Sequence, residues 1–384
     1  MHQNFSNIPT GLMDRADYDV AVLSSPNNVY YASGLDPFPR PNFLDSPNTG
    51  YFVILGKEKR TLLVPGIEAP YVESLRLKNV EIEYYGPAFG KTRRFNEDGR
   101  VFARKTAVES LADLLLGGRQ PKTIAMELDV VPESFLHQLR RKLRGTRFIN
   151  ISPLLETIRQ IKTPEEVRVI RQAVKINETA LSHVIRLIGE GTDVSELHKI
   201  YHVSTARAGA HVGLCSIGAG KRLGSIPVPR ESRYSLRTGD LVRLDLCPIW
   251  SRYWSDLART AVVGSPSRNQ AQIYSAFQKA QLAALSAISP GKNAGTVYKA
   301  SYRVLKDEGL PCPEFLGHGI GLALHESPSI TLQNSAVLSP NMVLSIEQYY
   351  FNPRIGGLQI EDNILVTSDG FERLSGMSSE LIQK

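Results

Sequence analysis

The stretch Leu-Val-Arg-Leu-Asp245-Leu-Cys-Pro-Ile-Trp-Ser-Arg-Tyr-Trp-Ser-Asp256-Leu-Ala-Arg-Thr decides the fold of this chain. Apolar, strand-like residues precede each aspartate, and turn-favouring residues such as Pro248 and Ser251 lie between them, so the stretch predicts a β-hairpin. A hairpin centred on positions 250 and 251 places Asp245 directly opposite Asp256, about 5 Å away on one face. Two carboxylates this close repel unless a proton or a cation lies between them. The stretch therefore predicts a metal site.

Three later segments add potential ligands. They are Gly-His318-Gly-Ile-Gly-Leu-Ala-Leu-His325-Glu-Ser-Pro, then Val-Leu-Ser-Ile-Glu347, and finally Leu-Gln-Ile-Glu361-Asp. The last two segments have the pattern of paired strands in a second hairpin. With the two aspartates, they supply four carboxylates and one imidazole, a set that suits Mn²⁺, Fe²⁺ or Co²⁺ better than a thiolate-seeking metal.

Five ligands exceed what one hydrolytic metal needs. Two metals about 3.5–4 Å apart, bridged by carboxylates, would use all five ligands and activate a bridging water. Taken singly, each residue has a simpler explanation, such as a surface charge on a strand or a histidine in a turn. Their joint occurrence, with both acidic pairs in strand settings, favours metal binding.

The composition is that of a soluble globular protein, with 42% hydrophobic and 22% charged residues. We expect no membrane span, because no run of about 18 apolar residues exists, and no secretory signal, because the first residues lack a basic region followed by an apolar core. Three scattered cysteines, Cys215, Cys247 and Cys312, are too few for a disulfide framework. They fit a reducing cytoplasm as small buried apolar residues.

The formal net charge of +7 is modest for 384 residues. The densest basic run covers residues 140–147, and no aromatic residues interleave with it. Aromatic stacking and a reader motif are expected in a nucleic-acid site, so this run predicts a solvated helix face. We expect no nucleic-acid partner.

The chain length suits two domains. In the first, strand-like segments at 17–25, 51–56 and 61–65 alternate with helical patterns at Thr106–Leu116 and Glu133–Leu143. This alternation predicts an α/β layer with a partly parallel sheet. We place the boundary near residues 155–160, which gives domains of 1–157 and 158–384.

The second domain opens with strong helix signals. Thr163-Pro-Glu-Glu166 provides an N-cap, a proline at the first helical position and a glutamate three residues after the cap. Asp193-Val-Ser-Glu196 repeats the cap and the acidic residue. Helices are therefore expected over 164–190 and 194–209. From residue 211 onward the pattern predicts short strands, interrupted by a helix at 268–288.

Taken in order, these motifs resemble the pita-bread fold enzymes, which include aminopeptidase P, prolidase, methionine aminopeptidase and creatinase. The segment Ser25-Pro-Asn-Asn-Val-Tyr-Tyr-Ala-Ser-Gly34 resembles the creatinase-type N-terminal domain, and Ile161-Lys-Thr-Pro-Glu-Glu-Val-Arg-Val-Ile-Arg171 resembles the helix that opens the catalytic domain. The resemblance covers nearly the whole chain. It implies an α/β creatinase-like N-terminal domain, an α+β pita-bread catalytic domain and a homodimer.

The resemblance also implies a role for each candidate residue. Asp245 would chelate one metal, and Asp256 would bridge both metals. His318 and Glu347 would hold the second metal, and Glu361 would bridge from the far side. Glu347 would also take a proton from the bridging water. His325 would stabilise the tetrahedral intermediate or the substrate carbonyl oxygen. Two divalent ions are implied, Mn²⁺ first, with Fe²⁺, Co²⁺ or Zn²⁺ as alternatives.

Three departures from the family pattern surround the expected substrate position and spare the ligands. Val228 stands where peptidases of the family carry a histidine, and an apolar side chain cannot shuttle a proton to a leaving amine. Gln359 stands where an arginine usually precedes the last glutamate by two residues, so charge is lost there. Gln348-Tyr349 replaces a usual Pro-Gly. His202 and His211, upstream of Val228, are alternative sources of a proton, although both also fit ordinary helix or strand positions.

Three functions are compatible with these features. The first is a dinuclear Xaa-Pro aminopeptidase or dipeptidase acting on short peptides, in which a metal-bridging water attacks the amide bond. The second is a metal-dependent, creatinase-like enzyme that cleaves a C–N or related bond of a small non-peptide substrate, which the loss of the histidine at Val228 motivates. The third is a binding module without catalysis. Intact ligands count against the third.

Overall fold

The computed structural model describes residues 17–37, 50–57, 59–86, 105–224, 226 and 233–384. The chain divides into two units, Met1–Ile158 and Arg159–Lys384. Every residue predicted to bind metal lies in the second unit. No helix within the described ranges is long and apolar enough to cross a membrane.

The first unit is built on a six-stranded sheet with the order β4-β3-β2-β1-β5-β6. Strand β1 pairs antiparallel with β2 and parallel with β5, so the sheet is mixed, which confirms the predicted α/β layer. Its elements are β1 (Val20–Leu23), α1 (Pro26–Ser33), β2 (Phe52–Leu55), β3 (Arg60–Pro65), a 3₁₀ turn (Gly66–Glu68), α2 (Ala69–Ser74), β4 (Glu81–Tyr85), α3 (Ala107–Leu116), β5 (Thr123–Met126), α4 (Glu133–Lys142), β6 (Arg147–Asn150) and α5 (Ser152–Gln160).

The second unit is built on a nine-stranded sheet in which β11-β12-β13-β10-β8-β7 form one continuous path. Strand β14 pairs with β13, β15 with β10, and β9 with β8. Its elements are α6 (Pro164–Leu187), α7 (Val194–Arg207), β7 (His211–Ala219), α8 (Gly220–Gly224), β8 (Leu241–Trp250), β9 (Tyr253–Trp254), β10 (Leu257–Val262), α9 (Arg268–Ser286), α10 (Ala294–Asp307), β11 (Gly317–Gly319), β12 (Val343–Asn352), β13 (Gly356–Val366), β14 (Phe371–Arg373) and β15 (Ile382–Gln383).

Local sequence explains where the long helices begin. The Thr163 hydroxyl accepts a hydrogen bond from the N–H of Glu166, whose carboxylate accepts from the N–H of Thr163, so the predicted capping box is present. Asp193 caps α7 by accepting from the N–H of Ser195 at 2.8 Å. The basic residues at the end of α4 are exposed, as predicted for a solvated helix face.

Two expectations for the second unit were wrong. Helix α10, which follows its N-cap residue Asn293, was missed, although Val297, Tyr298 and Leu305 form a buried stripe along it. Four strands from residue 211 onward are also long, since β7, β8, β12 and β13 contain 9, 10, 10 and 11 residues, whereas β9, β11, β14 and β15 are short, as expected. Strands that are buried on both faces lack the alternation of polar and apolar residues. The length of such a strand is therefore difficult to judge from the sequence.

The first predicted hairpin exists, but its predicted register was wrong. Trp250 pairs with Tyr253, so the turn consists of Ser251 and Arg252, both with positive φ (47° and 72°). Two-residue turns with positive φ match the twist of the flanking strands, but they usually contain glycine or asparagine, so the sequence did not indicate one here. The shifted centre pairs Asp245 with Ala258 instead of Asp256.

Alternation along the strands separates the core from a polar face. Leu344 and Ile346 of β12 and Ile364 of β13 pack in a buried apolar cluster with residues of α9 and α10, including Leu285 and Val297. Because successive side chains of a strand point to opposite faces, the intervening residues of β12 and β13 project away from these helices. Two of the five predicted ligands, Glu347 and Glu361, lie on that second face.

Candidate metal centre

Three carboxylates lie in one row across the sheet. Glu347 of β12 pairs with Glu361 of β13, which pairs with Ala258 of β10. Ala258 pairs in turn with Asp245 of β8, and Asp245 pairs with Ser216 of β7. Residues in one row share a face, and the small Ala258 leaves the space between Glu361 and Asp245 open. The row therefore directs three acidic side chains at one point.

Asp256 lies two residues before Ala258 and therefore on the same face as the row. It lies immediately before β10, at the position diagonal to Asp245, and diagonal residues of a strand pair remain within side-chain reach. Its N–H donates to Oδ1 of buried Asn363 at 3.0 Å. Its carboxylate Oδ2 lies 3.5 Å from Nε2 of His318. Asp256 thus links the carboxylate row to the histidine.

The histidine has the geometry of a metal ligand. His318 Nδ1 lies 2.9 Å from the carbonyl oxygen of Gly319. A carbonyl only accepts hydrogen bonds, so Nδ1 carries the proton and the lone pair of Nε2 faces the carboxylates. This buried Nε2 makes no hydrogen bond within the described part of the chain. A nitrogen lone pair beside the carboxylates of Asp256 and Glu361 fits a divalent cation.

Ligand atoms within 4.8 Å of one another form two overlapping groups among the described residues. One contains Asp245, Cys247 and Asp256, and the other contains Asp256, His318 and Glu361. Asp256 belongs to both. The structure therefore brings the predicted ligands together, with Glu347 beside Glu361 in the row and Asp256 common to both groups.

Burial and mutual repulsion perturb the acidic groups strongly. Burial first, and then the charge of Asp256, raise the pKa of Asp245 to about 7 and that of Glu347 to about 8. The same two causes raise the pKa of Glu361 well above its ordinary value. Burial lowers the pKa of His318, but Asp256, the backbone of Gly319 and Glu347 together outweigh burial, so this pKa is raised. The cluster is therefore not stable as four free anions, and cations would relieve the repulsion.

Cys247 is a member of the site that the sequence interpretation missed. Its thiol Sγ lies 3.0 Å from Oδ1 of Asp256 and 3.8 Å from Oδ1 of Asp245. The description of the cysteines as small buried apolar residues was wrong, because Cys215 and Cys312 are only partly buried and Cys247 contacts carboxylates. The signal was its spacing, since a residue two positions after Asp245 shares its face.

Arg243 was missed for the same reason. It precedes Asp245 by two positions, and its fully buried guanidinium lies 3.3 Å from Oδ2 of Asp245. Gln359, which the sequence singles out as a departure from the family pattern, also contacts two of the predicted ligands. The Gln359 amide donates to Oε2 of Glu347 at 3.1 Å and to Oε2 of Glu361 at 3.4 Å.

His325 stacks on the metal-site histidine. Its ring centroid lies 4.0 Å from that of His318, with an interplanar angle of 26°. Burial, followed by the charge of His318, lowers the pKa of His325, which favours its neutral form. The adjacent Glu326 holds this segment through ion pairs with Arg159 and with Lys162, whose Nζ lies 3.1 Å from Oε2.

The remaining predicted positions that the structure describes lie at or beyond the margin of the site. Val228 lies outside the described residues. His202 and His211 are exposed and belong to neither ligand group. Tyr349 pairs with Gln359 and shares the face of Glu347; burial, and then Glu347, raise its pKa to about 12. Gln348 instead points to the helices, where its Oε1 accepts from Ser301 at 2.9 Å.

Comparison with known proteins identifies the class. The sequence profile of metallopeptidase family M24 matches residues 168–368, just over half of the chain, and that of the creatinase/prolidase N-terminal domain matches residues 10–161. The chain belongs to metallopeptidase family M24. It is a metal-dependent hydrolase with a creatinase-like N-terminal domain and a pita-bread catalytic domain, which confirms the predicted fold and class.

Similar proteins match over nearly the full length. The Xaa-Pro dipeptidases of Pyrococcus horikoshii and Pyrococcus furiosus are each 29% identical to this chain and cover 96% of it, over 96% and 97% of their own lengths. The crystal structure of the prolidase from Pyrococcus horikoshii has a TM-score of 0.81 at 28% identity, covering 97% of this chain and 98% of that one. A Bacillus anthracis Xaa-Pro dipeptidase shares the fold, with a TM-score of 0.82 at 24% identity over 97% of each chain.

Proposed function

We propose that this chain is a dinuclear Xaa-Pro peptidase that hydrolyses short peptides. The carboxylate row of Asp245, Glu361 and Glu347, joined through Asp256 to the bare Nε2 of His318, carries the proposal. The full-length similarity to proteins named Xaa-Pro dipeptidase supports the substrate class. The products released from Ala-Pro and from Ala-Pro-Ala distinguish a dipeptidase from an aminopeptidase that acts on longer peptides.

Two divalent ions fit the ligand set, and Mn²⁺ suits its oxygen-rich composition. We assign Asp245 to one ion, His318 and Glu347 to the other, and Asp256 and Glu361 to the bridging positions. Membership of Asp256 in both ligand groups supports its bridging role. Enzymes of the family use divalent metals, so the proposal concerns their number, identity and ligands.

The chemistry follows from the groups around the ions. Two divalent ions held together would supply an activated water and positive charge for the substrate carbonyl oxygen. Glu347 lies opposite Glu361 in the carboxylate row, and we assign it the additional role of taking a proton from that water. His325, which faces outward from the stack on His318, is placed to donate a hydrogen bond to that carbonyl oxygen. Asn363 and Ser345 hold Asp256 and Glu361 in position.

Oligomer and compartment belong to the same proposal. Resemblance to the family supports a homodimer. Three free cysteines support a reducing compartment, and hence the cytoplasm. Size-exclusion chromatography with light scattering would test the first, and an elution mass equal to one 42.5 kDa chain would contradict it.

Turnover of defined peptides tests the function. Metal-free protein loaded with Mn²⁺ should release proline from Ala-Pro, or alanine from Ala-Pro-Ala, and removal of the metal should abolish both. Asp256→Asn should abolish activity by removing a bridging charge, whereas Asp369→Asn, at an exposed aspartate, should not. Absence of Mn²⁺-dependent release from every Xaa-Pro peptide would contradict the peptidase proposal.

One observation favours a second candidate, cleavage of a C–N or related bond in a small non-peptide substrate. Gln359 carries no charge, and its amide is occupied by Glu347 and Glu361, so it is not available to bind a substrate carboxylate. Screening of the Mn²⁺-loaded enzyme against guanidino and amide compounds separates the two candidates. Mn²⁺-dependent turnover there, with none on Xaa-Pro peptides, would establish the alternative.

A further inference from the structure

Arg243 is the buried cation of the carboxylate site. Its side chain is 0% exposed, and it lies on β8 two residues before Asp245, on the same face. A fully buried guanidinium is retained in a folded protein only when acceptors and negative charges compensate for its lost hydration. The contacts of Arg243 therefore show which groups it serves.

The contacts of Arg243 with the described residues converge on the site and its lining. Nη1 donates to Oε1 of Gln359 at 2.9 Å and lies 3.3 Å from Oδ2 of Asp245. Nη2 donates to the hydroxyl of Ser216 at 2.9 Å and to the carbonyl oxygen of Ile226 at 3.4 Å. The guanidinium carbon lies 5.3 Å from the ring centroid of Phe351, within the range of a cation–π contact.

Gln359 transmits this interaction to the far side of the row. Its amide nitrogen donates to Glu347 and Glu361, while its amide oxygen accepts from Arg243. A guanidinium can only donate and a carboxylate can only accept, so the opposite orientation of the amide would lose every one of these hydrogen bonds. Arg243 thus fixes the amide, and the amide orients two carboxylates.

Register explains how residues from two non-adjacent strands meet. Thr260 of β10, the strand between them, pairs with Arg243 of β8. Its hydroxyl also makes two hydrogen bonds to the backbone of Gln359 on β13, accepting from the N–H at 2.9 Å and donating to the carbonyl oxygen at 3.0 Å. Arg243, Thr260 and Gln359 therefore form a second row, two residues along each strand from the row of Asp245, Ala258 and Glu361. In this second row the small Thr260 separates the two long side chains. A long side chain from either strand can reach the same point.

We propose that Arg243 is a positioning residue whose buried positive charge, supplied from β8, orients three carboxylates of the site. Arginine at 243 and glutamine at 359 then form one coupled pair. The guanidinium holds Asp245 directly, and it holds Glu347 and Glu361 through the amide. The assignment rests on the proposed metal site but not on the choice of substrate.

A four-protein cycle tests the coupling: wild type, Arg243→Met, Gln359→Arg and the double variant. Mn²⁺ affinity is measured by calorimetry on chelator-treated protein, and thermal unfolding reports on folding. We expect Arg243→Met to weaken Mn²⁺ binding by about 10–100-fold, the range for groups that orient metal ligands. Gln359→Arg alone should also weaken it, because two guanidinium groups would then compete for one position. The double variant should return to within about twofold of wild type, the error of independent effects.

Three results would overturn the assignment. The first is a double variant that binds Mn²⁺ no better than Arg243→Met. The second is tighter binding by Arg243→Met, because this would show that the guanidinium only repels the ion. The third is a double variant that does not fold. If Arg243→Met itself does not fold, recovery of folding in the double variant supports the coupling.

Arg171→Met is the matched control, because Arg171 pairs with Glu372 at the surface and should leave Mn²⁺ affinity unchanged. Wild-type protein that binds no Mn²⁺ would contradict the proposed function. Wild-type binding without rescue in the double variant would contradict only the role of Arg243.

Discussion

Glu347 and Glu361 lie directly opposite each other on β12 and β13, and a single amide, that of Gln359, donates to both. Glu347 is 9% exposed and Glu361 is 1% exposed, so little water screens their charges. Two carboxylates in this arrangement are unfavourable in a folded protein unless protons or cations accompany them.

Neutralising one carboxylate should stabilise the metal-free protein and weaken metal binding. One pKa unit corresponds to about 1.4 kcal/mol, so Glu347→Gln should raise the free energy of unfolding by at least about 1 kcal/mol at pH 8 in the presence of a chelator. Denaturant titration with and without Mn²⁺ measures both effects. Glu372→Gln, at an exposed glutamate, is the control. A destabilised metal-free Glu347→Gln would show that repulsion does not dominate the site.

The metal-free protein should lose stability as the pH rises. Asp245 and Glu347 have folded pKa values of about 7 and about 8, above their ordinary values of 3.8 and 4.5. A raised carboxyl pKa means that the folded state holds its proton more tightly than the unfolded state. The contribution to stability is therefore complete below about pH 4 and is lost up to about pH 8.

Unfolding measured from pH 5 to pH 8 with a chelator should show this decline, and saturation with Mn²⁺ should remove it. Glu326 contributes with the opposite sign. Burial raises its pKa, but Lys162 and Arg159 outweigh burial and the pKa is lowered, so its contribution is lost only as the pH falls below its ordinary value of 4.5. A metal-free protein equally stable at pH 5 and pH 8 would contradict the perturbed carboxyl groups.

Removing the charge of Glu326 should destabilise the fold. Glu326→Gln leaves Lys162, with a side chain 1% exposed, without its charged partner. Breaking a buried pair in this way costs about 3–5 kcal/mol. The exposed pair of Arg171 and Glu372 should contribute less than about 1 kcal/mol, so Glu372→Gln is again the control. Equal losses in the two variants, measured by chemical denaturation, would refute the role given to Glu326.

His325 should matter for turnover and not for metal content. Loss of one donor to a developing oxyanion typically costs about 10²–10³ in kcat, and His325→Asn should show a loss of this size with two Mn²⁺ still bound. His137→Asn, at an exposed histidine of α4, should change neither quantity. Loss of Mn²⁺ from His325→Asn would instead make His325 part of the metal site, through its stack on His318.

Much of this arrangement is predictable from the sequence because local signals determine it. The cap at Thr163 and the strand patterns before Asp245 and Glu361 each depend on a few neighbouring residues. The turn at Ser251 and Arg252 was not predictable, since tertiary packing stabilises positive φ in residues that rarely adopt it. Register across strands was needed to identify the remaining members of the site.

Arg243 and Cys247 illustrate that limit. Both flank Asp245 at a spacing of two, which places them on its face once the strand is established. Arg243 meets Gln359 of β13, more than a hundred residues away, whereas Cys247 meets Asp256 across its own hairpin, whose register was not predictable. The missed helix α10 shows a different cause, because Thr296, Val297, Tyr298 and Tyr302 are residue types that also favour strands. Its N-cap Asn293 and the glycine at 309 were the available signals.

The central claim is that the five clustered residues hold two divalent ions required for peptide hydrolysis. Titration of chelator-treated protein with Mn²⁺, following bound Mn²⁺ and proline release from Ala-Pro in the same samples, tests it most directly. We predict no release before metal is added and full activity when two equivalents are bound. Activity that is complete in the chelator, or a protein that never binds Mn²⁺, would contradict the claim.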